Sequence, residues 1–188
     1  MTTVAEPEVR DGVGVAGAPR RRLRERHADL FFVIFFGVFA FTSLVMETYP
    51  VFGIDLVHAS DPLGRVWHFY ASSFDPIFLH PPLYLRVMVG IDQFAFGPFY
   101  LLAIHALVKE RNWIRIPGIA YVGAMTYSTS AYFLVEFLGE RGRADLVWVS
   151  LINGPYLIVP LLFAWRLRHP SPFSIASGDV ALTPHTGP

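Results

Sequence analysis

The stretch LYLRVMVGIDQFAFGPFYLLAIHALV, residues 83–108, is almost wholly apolar but carries an acid, Asp92, near its middle. A helix that crosses a bilayer needs about 20 predominantly apolar residues, which this stretch supplies. A charge at the bilayer centre costs about 2.5–3.5 kcal/mol on insertion scales, so an acid at this depth is a functional candidate by default. The stretch therefore predicts a membrane-spanning helix in which Asp92 serves the function of the protein.

Three further stretches have the length and apolarity of membrane spans, at residues 30–50, 116–138 and 146–167. Hydrophobic residues form 53% of the chain and charged residues 16%, whereas a soluble domain carries about a quarter charged residues. The apolar residues also fall in blocks instead of being spread around one core. The sequence therefore predicts an all-α integral membrane protein, a bundle of four transmembrane helices.

Composition and motifs exclude several classes of function. The chain has no cysteine, which rules out disulfides, thiolate catalysis and Cys-based metal centres. Its net charge of +0 argues against nucleic-acid binding. The histidines show no ligand spacing such as H-E-x-x-H, and there is no glycine-rich phosphate loop or nucleophile elbow. We therefore expect neither a metal nor a bound cofactor.

Both ends of the chain are predicted to be disordered tails. Residues 1–28 are polar and run into the basic stretch RRRLRERHAD, and residues 169–188 read HPSPFSIASGDVALTPHTGP. A signal peptide is the alternative at the N-terminus. However, the apolar run that follows exceeds the roughly 7–15 residues of a signal-peptide core, and no small-residue cleavage site closes it. A retained helix is therefore expected.

The distribution of basic residues predicts the orientation of the helices. With four spans both termini lie on one side of the membrane, and the positive-inside rule assigns the more basic side to the cytoplasm. The side of the termini carries Arg20, Arg21, Arg22, Arg24, Arg26, Lys109, Arg111, Arg115, Arg166 and Arg168, against Arg65, Arg86, Arg141 and Arg143 on the other. We therefore expect a multi-pass membrane protein with both termini in the cytoplasm.

The first loop, residues 51–82, is long for a connection in so small a protein. Its sequence LGRVWHFYASSFDPIFLHPP is too aromatic for a solvated linker. We expect this loop to fold against the helices as a partial lid.

Polar residues within the predicted spans fall at similar depths. Asp92 lies roughly 13 Å below the outer end of its helix at 1.5 Å per residue, and Asn153 lies at a similar depth in the fourth helix. Glu47 is close to the outer end of the first helix, and Glu136 is expected to be interfacial at the outer end of the third. We therefore expect Glu47, Asp92 and Asn153 to face one pocket in the outer half of the membrane.

Two carboxyl groups that share a site of low dielectric cannot both ionise cheaply, so one is expected to hold a proton near neutral pH. Such a pair can protonate a carbon–carbon double bond and take a proton back, or it can bind a cationic ligand. Aromatic rings stabilise a carbocation or an ammonium group equally well. The aromatic candidates for this pocket are Phe41, Trp67, Tyr70, Phe94, Phe96, Tyr121, Tyr127 and Tyr156.

A structural role for the acids is the alternative. Asp92 would then hydrogen-bond to Asn153 or Tyr121 and hold the helices together. Glu47, which precedes Thr48, Tyr49 and Pro50, would end a helix in the headgroup region.

Several motifs, taken in order along residues 30–170, resemble the EXPERA-domain family, which includes emopamil-binding protein (a sterol Δ8–Δ7 isomerase) and the sigma-2 receptor. FTSLVMET resembles the helix-one segment whose acid is functional in both relatives, which implies that role for Glu47. VMVGIDQFAFGPF resembles the second-helix segment with a key glutamate, here Asp92. INGPYLIVP resembles the fourth-helix motif, with Asn153 matching the isomerase and Pro155 with Tyr156 matching the receptor.

Two further motifs and several departures qualify this resemblance. WHFYASSFDP is similar to the aromatic loop and Asp-Pro of the receptor at Phe69, Tyr70, Asp75 and Pro76, and NWIRIPGIAY is similar to its start of helix three. The histidine, threonine and tryptophan that accompany the acids in the isomerase are replaced here by Ser43, Ala95 and Tyr156. The resemblance therefore implies an EXPERA-like four-helix domain at residues 29–168, with an acid pair but without the partners that the acids have in the isomerase.

The expected function is acid–base chemistry on a sterol or isoprenoid, either double-bond isomerisation or terpenoid cyclisation, in an intramembrane pocket. Asp92 and Glu47 would transfer the proton, and Asn153 would orient one carboxyl group. The alternatives are a non-catalytic binder of sterols or cationic amphiphiles, as in the sigma-2 receptor, and a structural factor. A homodimer is implied by the resemblance alone. The expected ligand-binding residues are Phe41, Ser43, Trp67, Phe69, Tyr70, Asp75, Phe94, Phe96, Tyr121, Tyr127, Glu136 and Tyr156.

Overall fold

A computed structural model of the chain describes residues 22–139 and 143–173. Within these residues the secondary structure is helical and contains no β-strand, which confirms the predicted all-α class. The helices are α1 (His27–Phe41), α2 (Thr48–Phe52), α3 (Pro62–Ser73), α4 (Leu83–Ile91), α5 (Gly97–Val108), α6 (Arg115–Leu138), α7 (Leu146–Asn153) and α8 (Pro155–Arg166). Turns of 3₁₀-helix cover Leu23–Glu25, Pro76–Phe78 and Asn112–Ile114, and turns of π-helix cover Thr42–Met46 and Asp92–Phe96.

Three continuous helical segments of the described chain are long and apolar enough to cross a membrane. They are His27–Phe52, Leu83–Val108 and Leu146–Arg166, with mean hydropathies of 2.2, 1.6 and 1.8. Helix α6 has 24 residues but is not among these three. The polar run Thr126–Ser130 in its middle makes it less apolar. The fourth span, predicted at residues 116–138, therefore stays a prediction.

The first two of these segments are each widened by one π-helical turn. In the first, the Thr42 hydroxyl donates to the carbonyl oxygens of Val38 (3.2 Å) and Phe39 (3.0 Å), and such bonds compete with the regular helical pattern. The two π-turns pack against each other. A Cβ atom on Gly97, just after the second turn, would come within 2.5 Å of the Leu44 side chain. Glycine is therefore required for this close approach.

The core below the π-turns is built from aromatic rings. Phe36 lies at its centre and is fully buried, with its ring centroid 5.8 Å from that of Tyr100 and 4.9 Å from that of Phe163. Tyr121 from α6 completes the group with an edge-to-face contact at 6.1 Å. Offset and edge-to-face arrangements at these distances are the favourable ones for aromatic pairs. The rings therefore join α1, α5, α6 and α8 into one unit.

At the opposite end of α1 from the π-turns, three charged residues tie the helices together; we name Arg26, Asp29 and Arg166 the ionic clamp. Asp29 accepts hydrogen bonds from Arg26 Nη1 (2.7 Å) and Arg166 Nε (2.9 Å). Arg26 also donates to the carbonyl oxygen of Leu107 at 3.0 Å. The ionic clamp therefore joins the beginning of α1 to the ends of α5 and α8.

The first loop is folded and contains α3. Asp61 caps this helix by accepting a hydrogen bond from the Gly64 backbone N–H at 2.8 Å, and it also accepts one from the Tyr49 hydroxyl. Hydrogen bonds from Tyr49 and then from Gly64 hold the pKa of Asp61 below its ordinary value. Beyond α3, the Phe74 carbonyl accepts from the Asp145 N–H at 2.8 Å. The loop is therefore tied to the helices on both sides of α3.

The described residues include only parts of the predicted tails. Of the segment 1–28, residues 1–21 lie outside the described part, and the rest forms the turn Leu23–Glu25 and the beginning of α1. Of the segment 169–188, residues 174–188 lie outside it as well. Arg20, Arg21 and Arg141, which contribute to the predicted orientation, are also outside the described residues.

Candidate active site

A cavity of about 300 Å³ lies between the helices and the first loop. This volume is at the lower end of the range for small-molecule sites. Its wall is mostly apolar, with a few polar groups. The lining residues are Thr42, Met46, Glu47, Val66, Trp67, Tyr70, Phe78, Leu85, Met88, Val89, Asp92, Met125, Ser128, Thr129, Tyr132, Ile152, Asn153 and Tyr156.

Two carboxyl groups on this wall form a pair, Glu47 with Asp92. Glu47 directly follows the first π-turn and Asp92 begins the second, so the contact between the turns brings the acids together. The two side chains are neighbours on the cavity wall. Two carboxyl groups that share a site of low dielectric cannot both ionise cheaply. An acid beside its base is therefore the state expected of the carboxyl pair.

Neutral hydroxyl groups hold the carboxyl pair in place. The Tyr100 hydroxyl donates to Asp92 Oδ1 at 3.1 Å, and Tyr100 is fully buried. Ser43, also fully buried, makes a longer contact of 3.5 Å from its Oγ to Glu47 Oε2. Asp92 itself is 8% exposed. Both contacts come from neutral hydroxyl groups, and they orient the two carboxyl groups.

A second polar cluster, which we name the phenol network, consists of Tyr70, Asp75, Tyr132 and Asn153. Asp75 is fully buried and accepts hydrogen bonds on one oxygen from the hydroxyls of Tyr70 (3.1 Å) and Tyr132. Asn153 Nδ2 donates to the Tyr70 hydroxyl at 2.9 Å and to the Val149 carbonyl at 3.0 Å. The network therefore links the first loop to α6 and α7.

Burial and the neighbouring Asp75 raise the pKa of Tyr70 above its ordinary value. Its phenol therefore keeps its proton at neutral pH, and the hydrogen bond to Asp75 is retained.

Tyr156 forms the wall on the side of α8. Its hydroxyl is hydrogen-bonded to Thr42 in the first π-turn. Its ring stacks on Phe39 with centroids 4.2 Å apart and an interplanar angle of 18°. Both contacts fix the ring at the edge of the cavity.

The structure brings eight of the fifteen predicted site residues to the cavity wall or directly behind it. Glu47, Trp67, Tyr70, Asp92, Asn153 and Tyr156 line the cavity. Ser43 and Asp75 lie behind the wall and bond to residues on it. The partners of Asn153 are Tyr70, Tyr132 and Val149, whereas the sequence-based prediction gave it a carboxyl group to orient.

The other predicted ligand-binding residues lie elsewhere. Phe41, Phe69, Phe94 and Tyr127 are exposed on the outer surfaces of the helices, with Tyr127 79% exposed. Apolar side chains on the outside of a membrane helix face lipid, and the sequence does not distinguish that face from a cavity wall. Phe96 and Tyr121 pack against each other in the aromatic core. Glu136, which was expected to be interfacial, is fully buried on α6.

Tyr132 is the most important wall residue that the sequence reasoning missed. It lies on α6 with Tyr121, Met125, Thr129 and Glu136, all of them buried. Successive spacings of four, four, three and four residues place these side chains on one face of the helix. This polar face within an apolar helix was the available signal.

Within the described residues, no group of three or more His, Asp or Glu side chains is arranged to hold a metal.

Fold and site together define an all-α protein of the membrane type with a mostly apolar cavity and a buried carboxyl pair. The model of the family described as EXPERA (EXPanded EBP superfamily) matches residues 62–167, more than half of the chain. The chain therefore belongs to the EXPERA family.

A relative with a known name is also similar to the chain. Protoglabretal synthase MOI1 from Citrus sinensis is 28% identical over 137 residues, which cover 68% of this chain. The match spans 64% of the length of that relative, which is less than two thirds of it.

Proposed function

We propose that this protein binds a sterol- or isoprenoid-like lipid in the cavity and performs acid–base chemistry on a carbon–carbon double bond of that lipid. The observation that carries the proposal is the carboxyl pair, Glu47 and Asp92, on the wall of a mostly apolar cavity. Membership of the EXPERA family and the similarity to a protein named as a synthase support it. The product would arise by isomerisation or by terpenoid cyclisation.

The proposed reaction needs only a proton. The protonated carboxyl group of the pair donates its proton to one alkene carbon, and the π electrons form the new C–H bond. The neighbouring carbon becomes a carbocation, whose charge the rings of Tyr156 and Trp67 stabilise through their faces. A carboxylate of the pair then removes a proton from an adjacent carbon, and the electrons of that C–H bond form the new double bond. In a cyclisation, a second double bond attacks the cation before this step.

The contacts support further roles within this proposal. Tyr100 and Ser43 orient the carboxyl pair, because they hydrogen-bond to Asp92 and Glu47. Asn153, which was expected to do this, instead holds the hydroxyls of the phenol network. An isomerase returns its proton to the pair at the end of each cycle, so the chemistry itself requires no oxidant, reductant or cofactor.

The membrane arrangement is part of the same proposal. Helix α6 would form the fourth span beside the three apolar segments. Both termini would lie in the cytoplasm according to the positive-inside rule. The first loop would act as a lid, since Val66, Trp67, Tyr70 and Phe78 from this loop close one side of the cavity. A homodimer, implied by the family resemblance, is retained as a proposal for the intact protein.

Deuterium uptake tests this proposal directly. The purified full-length protein is incubated in heavy water with a Δ8-sterol and a set of linear isoprenoids, and mass spectrometry follows new isomers and deuterium at carbon. Wild type is expected to place deuterium on an alkene carbon of one substrate. Asp92→Asn, which is nearly isosteric but unable to exchange a proton at that position, is expected to abolish this uptake while the protein remains folded.

Asp55→Asn is the matched control for this substitution. Asp55 is an exposed acid that lies outside the cavity, so the same change of acid to amide should leave turnover at the wild-type level. Full deuterium uptake in Asp92→Asn would refute the proposed role of the carboxyl pair.

A binder of cationic amphiphiles is the second candidate. The charged side chains on the described cavity wall are both acids, Glu47 and Asp92, and aromatic rings surround them. An ammonium group would therefore find a counter-ion and ring faces together. Saturable binding of an amphiphilic amine, together with no product from any alkene substrate, would favour this candidate over the enzyme.

A further inference from the structure

One end of the helix bundle carries most of the cationic side chains. The beginnings of α1 and α6 meet the ends of α5 and α8 there, and Arg115 Nε donates to the Leu167 carbonyl at 3.2 Å. Among the described residues, this end holds eight cations and three acids, namely Arg22, Arg24, Arg26, Lys109, Arg111, Arg115, Arg166 and Arg168 with Glu25, Asp29 and Glu110. The opposite end, around the first loop, has no such excess in the described part of the chain, with Arg65, Arg86 and Arg143 against Asp55, Asp61, Asp75 and Asp145.

Two of these cations are neutralised within the bundle. Arg26 and Arg166 share Asp29 in the ionic clamp. Arg26 Nε also pairs with Glu110 Oε1 at 3.3 Å. Two of the three acids at this end are therefore already paired, and they do not compensate the charge of the other cations.

Four exposed cations lie beside the ionic clamp; we name Arg22, Arg24, Lys109 and Arg111 the basic patch. They come together because Arg26 donates to the carbonyl oxygens of Leu107 (3.0 Å) and Val108 (3.3 Å), which places the turn Leu23–Glu25 beside the end of α5. Within the described residues, no side chain of the basic patch makes a hydrogen bond or an ion pair. Glu25 is the one exposed acid in the described part of this surface, so the basic patch keeps an excess of positive charge.

The backbone fixes the two cations of the patch that follow α5. Glu110, between Lys109 and Arg111, has a φ of 53°, in the left-handed region that residues with a Cβ atom adopt rarely. The Arg111 N–H donates to the Ala106 carbonyl at 2.9 Å, and the Glu110 side chain is paired with Arg26. The turn is therefore held by bonds on both sides, so little backbone freedom is lost when a ligand binds to it.

Two exposed tryptophans mark the depth of this end. Trp113 lies in the 3₁₀ turn before α6, and Trp165 lies near the end of α8 with the Arg168 guanidinium 4.1 Å from the centre of its ring. Tryptophan is enriched where membrane and water meet. The basic patch therefore lies at the level of the lipid headgroups, and phosphate is the anion that this layer contains.

We infer that the basic patch binds the headgroup of an anionic phospholipid. The phosphate oxygens accept charge-assisted hydrogen bonds from Lys109 and Arg111 on one side and from the N-terminal arginines of the patch on the other. A zwitterionic lipid offers the same phosphate together with a cation that the patch repels, so the patch discriminates between the two kinds of lipid. This inference does not rest on the proposed function, because the patch lies outside the cavity.

Competition between two lipids tests this inference on the full-length protein. The purified protein in a mild detergent receives equal amounts of phosphatidylglycerol and phosphatidylcholine with identical acyl chains, and native mass spectrometry measures the ratio of the lipids retained. One cation near a membrane surface changes the affinity for an anionic lipid by about fivefold, so phosphatidylglycerol should be preferred by at least that factor. A higher salt concentration should reduce this preference, because the patch is exposed.

Substitutions at the two ends of the bundle then locate the site. A quadruple variant should bring the ratio of retained lipids close to one; it combines Arg22→Gln, Arg24→Gln, Lys109→Gln and Arg111→Gln. Arg111→Gln alone should lower the ratio by up to about fivefold. Arg65→Gln is the matched control and should keep the wild-type ratio, because it removes an exposed cation from α3 at the opposite end. Circular dichroism of each variant checks that the helices are retained.

Three outcomes would overturn the inference. The first is equal retention of the two lipids by the wild type, and the second is a preference that survives in the quadruple variant, since the site would then lie elsewhere. The third is full displacement of phosphatidylglycerol by millimolar inorganic phosphate, which would identify a soluble anion as the ligand. If the quadruple variant does not fold, Arg111→Gln and the salt dependence decide instead. None of these measurements involves turnover, so their result is independent of the proposed chemistry.

Discussion

Two buried acids in the same bundle, Asp29 and Asp92, have opposite surroundings. Asp29 is 2% exposed and lies between the guanidinium groups of Arg26 and Arg166, at 2.7 and 2.9 Å. Asp92 is 8% exposed, and its partners are the Tyr100 hydroxyl and a second carboxyl group, that of Glu47. The two side chains are thus buried to a similar extent, but the partners of Asp29 are cations and those of Asp92 are a hydroxyl group and a second acid.

The partners indicate the role of each acid. A buried carboxylate is costly unless charged partners and hydrogen bonds compensate it, and in the ionic clamp two cations do so while joining three helix ends. The carboxyl pair is held by hydroxyl groups on a cavity wall. Groups arranged in this way in a cavity are candidates for proton transfer. The comparison therefore supports a structural role for Asp29 and the proposed role of Asp92 in proton transfer.

The largest expected effect is on turnover at the carboxyl pair. Glu47→Gln and Asp92→Asn should each lower turnover by about 10²–10⁴-fold, the usual contribution of general acid–base catalysis. Because the two groups act as a unit, the double variant should lose little beyond either single change. The measurement is the initial rate of product formation for the four proteins with the substrate that shows deuterium uptake.

If the fold-reduction in turnover of the double variant equals the product of the two single reductions, the two acids do not act as one acid–base unit. The two acids would then act at separate steps, and the comparison with Asp29 would need to treat them individually.

The second largest effect is on the stability of the ionic clamp. Asp29→Asn leaves Arg26 and Arg166 without their anion, and removing one partner of a buried pair costs about 3–5 kcal/mol. The free energy of unfolding should fall by about 3 kcal/mol, towards the lower limit because Arg166 is partly exposed. Denaturant unfolding in detergent measures this change.

In the same assay, Asp92→Asn should leave the free energy of unfolding unchanged or raise it slightly, whereas Asp29→Asn should lower it. The amide can still accept the Tyr100 hydrogen bond, and one acid of the pair is gone. Destabilisation of Asp92→Asn as large as that of Asp29→Asn would remove the distinction between the two acids.

The sequence predicted the helices well, because an apolar block long enough to span a membrane can form few structures other than a helix. The segments His27–Phe52, Leu83–Val108 and Leu146–Arg166 were each anticipated to within a few residues. The π-turns were not predicted, since one extra residue in a helical turn leaves no mark on an apolar block. These turns decide where Glu47 and Asp92 face.

The sequence analysis predicted the acids of the candidate site, but only some of the residues that form the cavity wall. Depth along each helix brought Glu47, Asp92 and Asn153 to one level, but depth does not indicate direction around the helix axis. The partners of Asn153, and the absence of Tyr127 from the cavity wall, depend on that direction. The hydrogen bond from Tyr132 to Asp75 spans 57 residues, and no local pattern encodes it.

The third prediction concerns the contact that brings the two acids together. Gly97→Ala would place a Cβ atom within 2.5 Å of Leu44 Cδ2 and within 2.9 Å of its Cγ, which forces the two π-turns apart. Overpacking of this kind costs about 1–3 kcal/mol. We expect lower stability by about that amount together with reduced turnover, because Glu47 and Asp92 would separate.

Gly90→Ala is the matched control, since nothing lies within 4 Å of a Cβ atom there. It should be neutral or slightly stabilising, as alanine favours a helix over glycine by about 0.5–1 kcal/mol. If Gly97→Ala also leaves turnover unchanged, the close approach of the turns is not what positions the carboxyl pair.

The smallest effect is expected at a third acid, Asp61, which is exposed and outside the apolar segments. Hydrogen bonds from Tyr49 and Gly64 hold the pKa of Asp61 below its ordinary value of 3.8. A carboxyl group with a lowered folded pKa stabilises the fold above its unfolded pKa, and this contribution is lost as the pH falls through the folded pKa. Protection of the Gly64 and Arg65 amides from hydrogen exchange, corrected for intrinsic rates, should therefore fall below about pH 4.

Asp61→Asn should remove this pH dependence while retaining a helix cap, because asparagine caps about as well as aspartate. Asp55→Asn should leave it in place, although a hydrogen bond from His58 also lowers the pKa of Asp55. An unchanged pH profile in Asp61→Asn would mean that other groups control the beginning of α3. Unlike Asp29 and Asp92, Asp61 has both water and hydrogen-bond donors available, and for that reason its charge contributes little to either stability or chemistry.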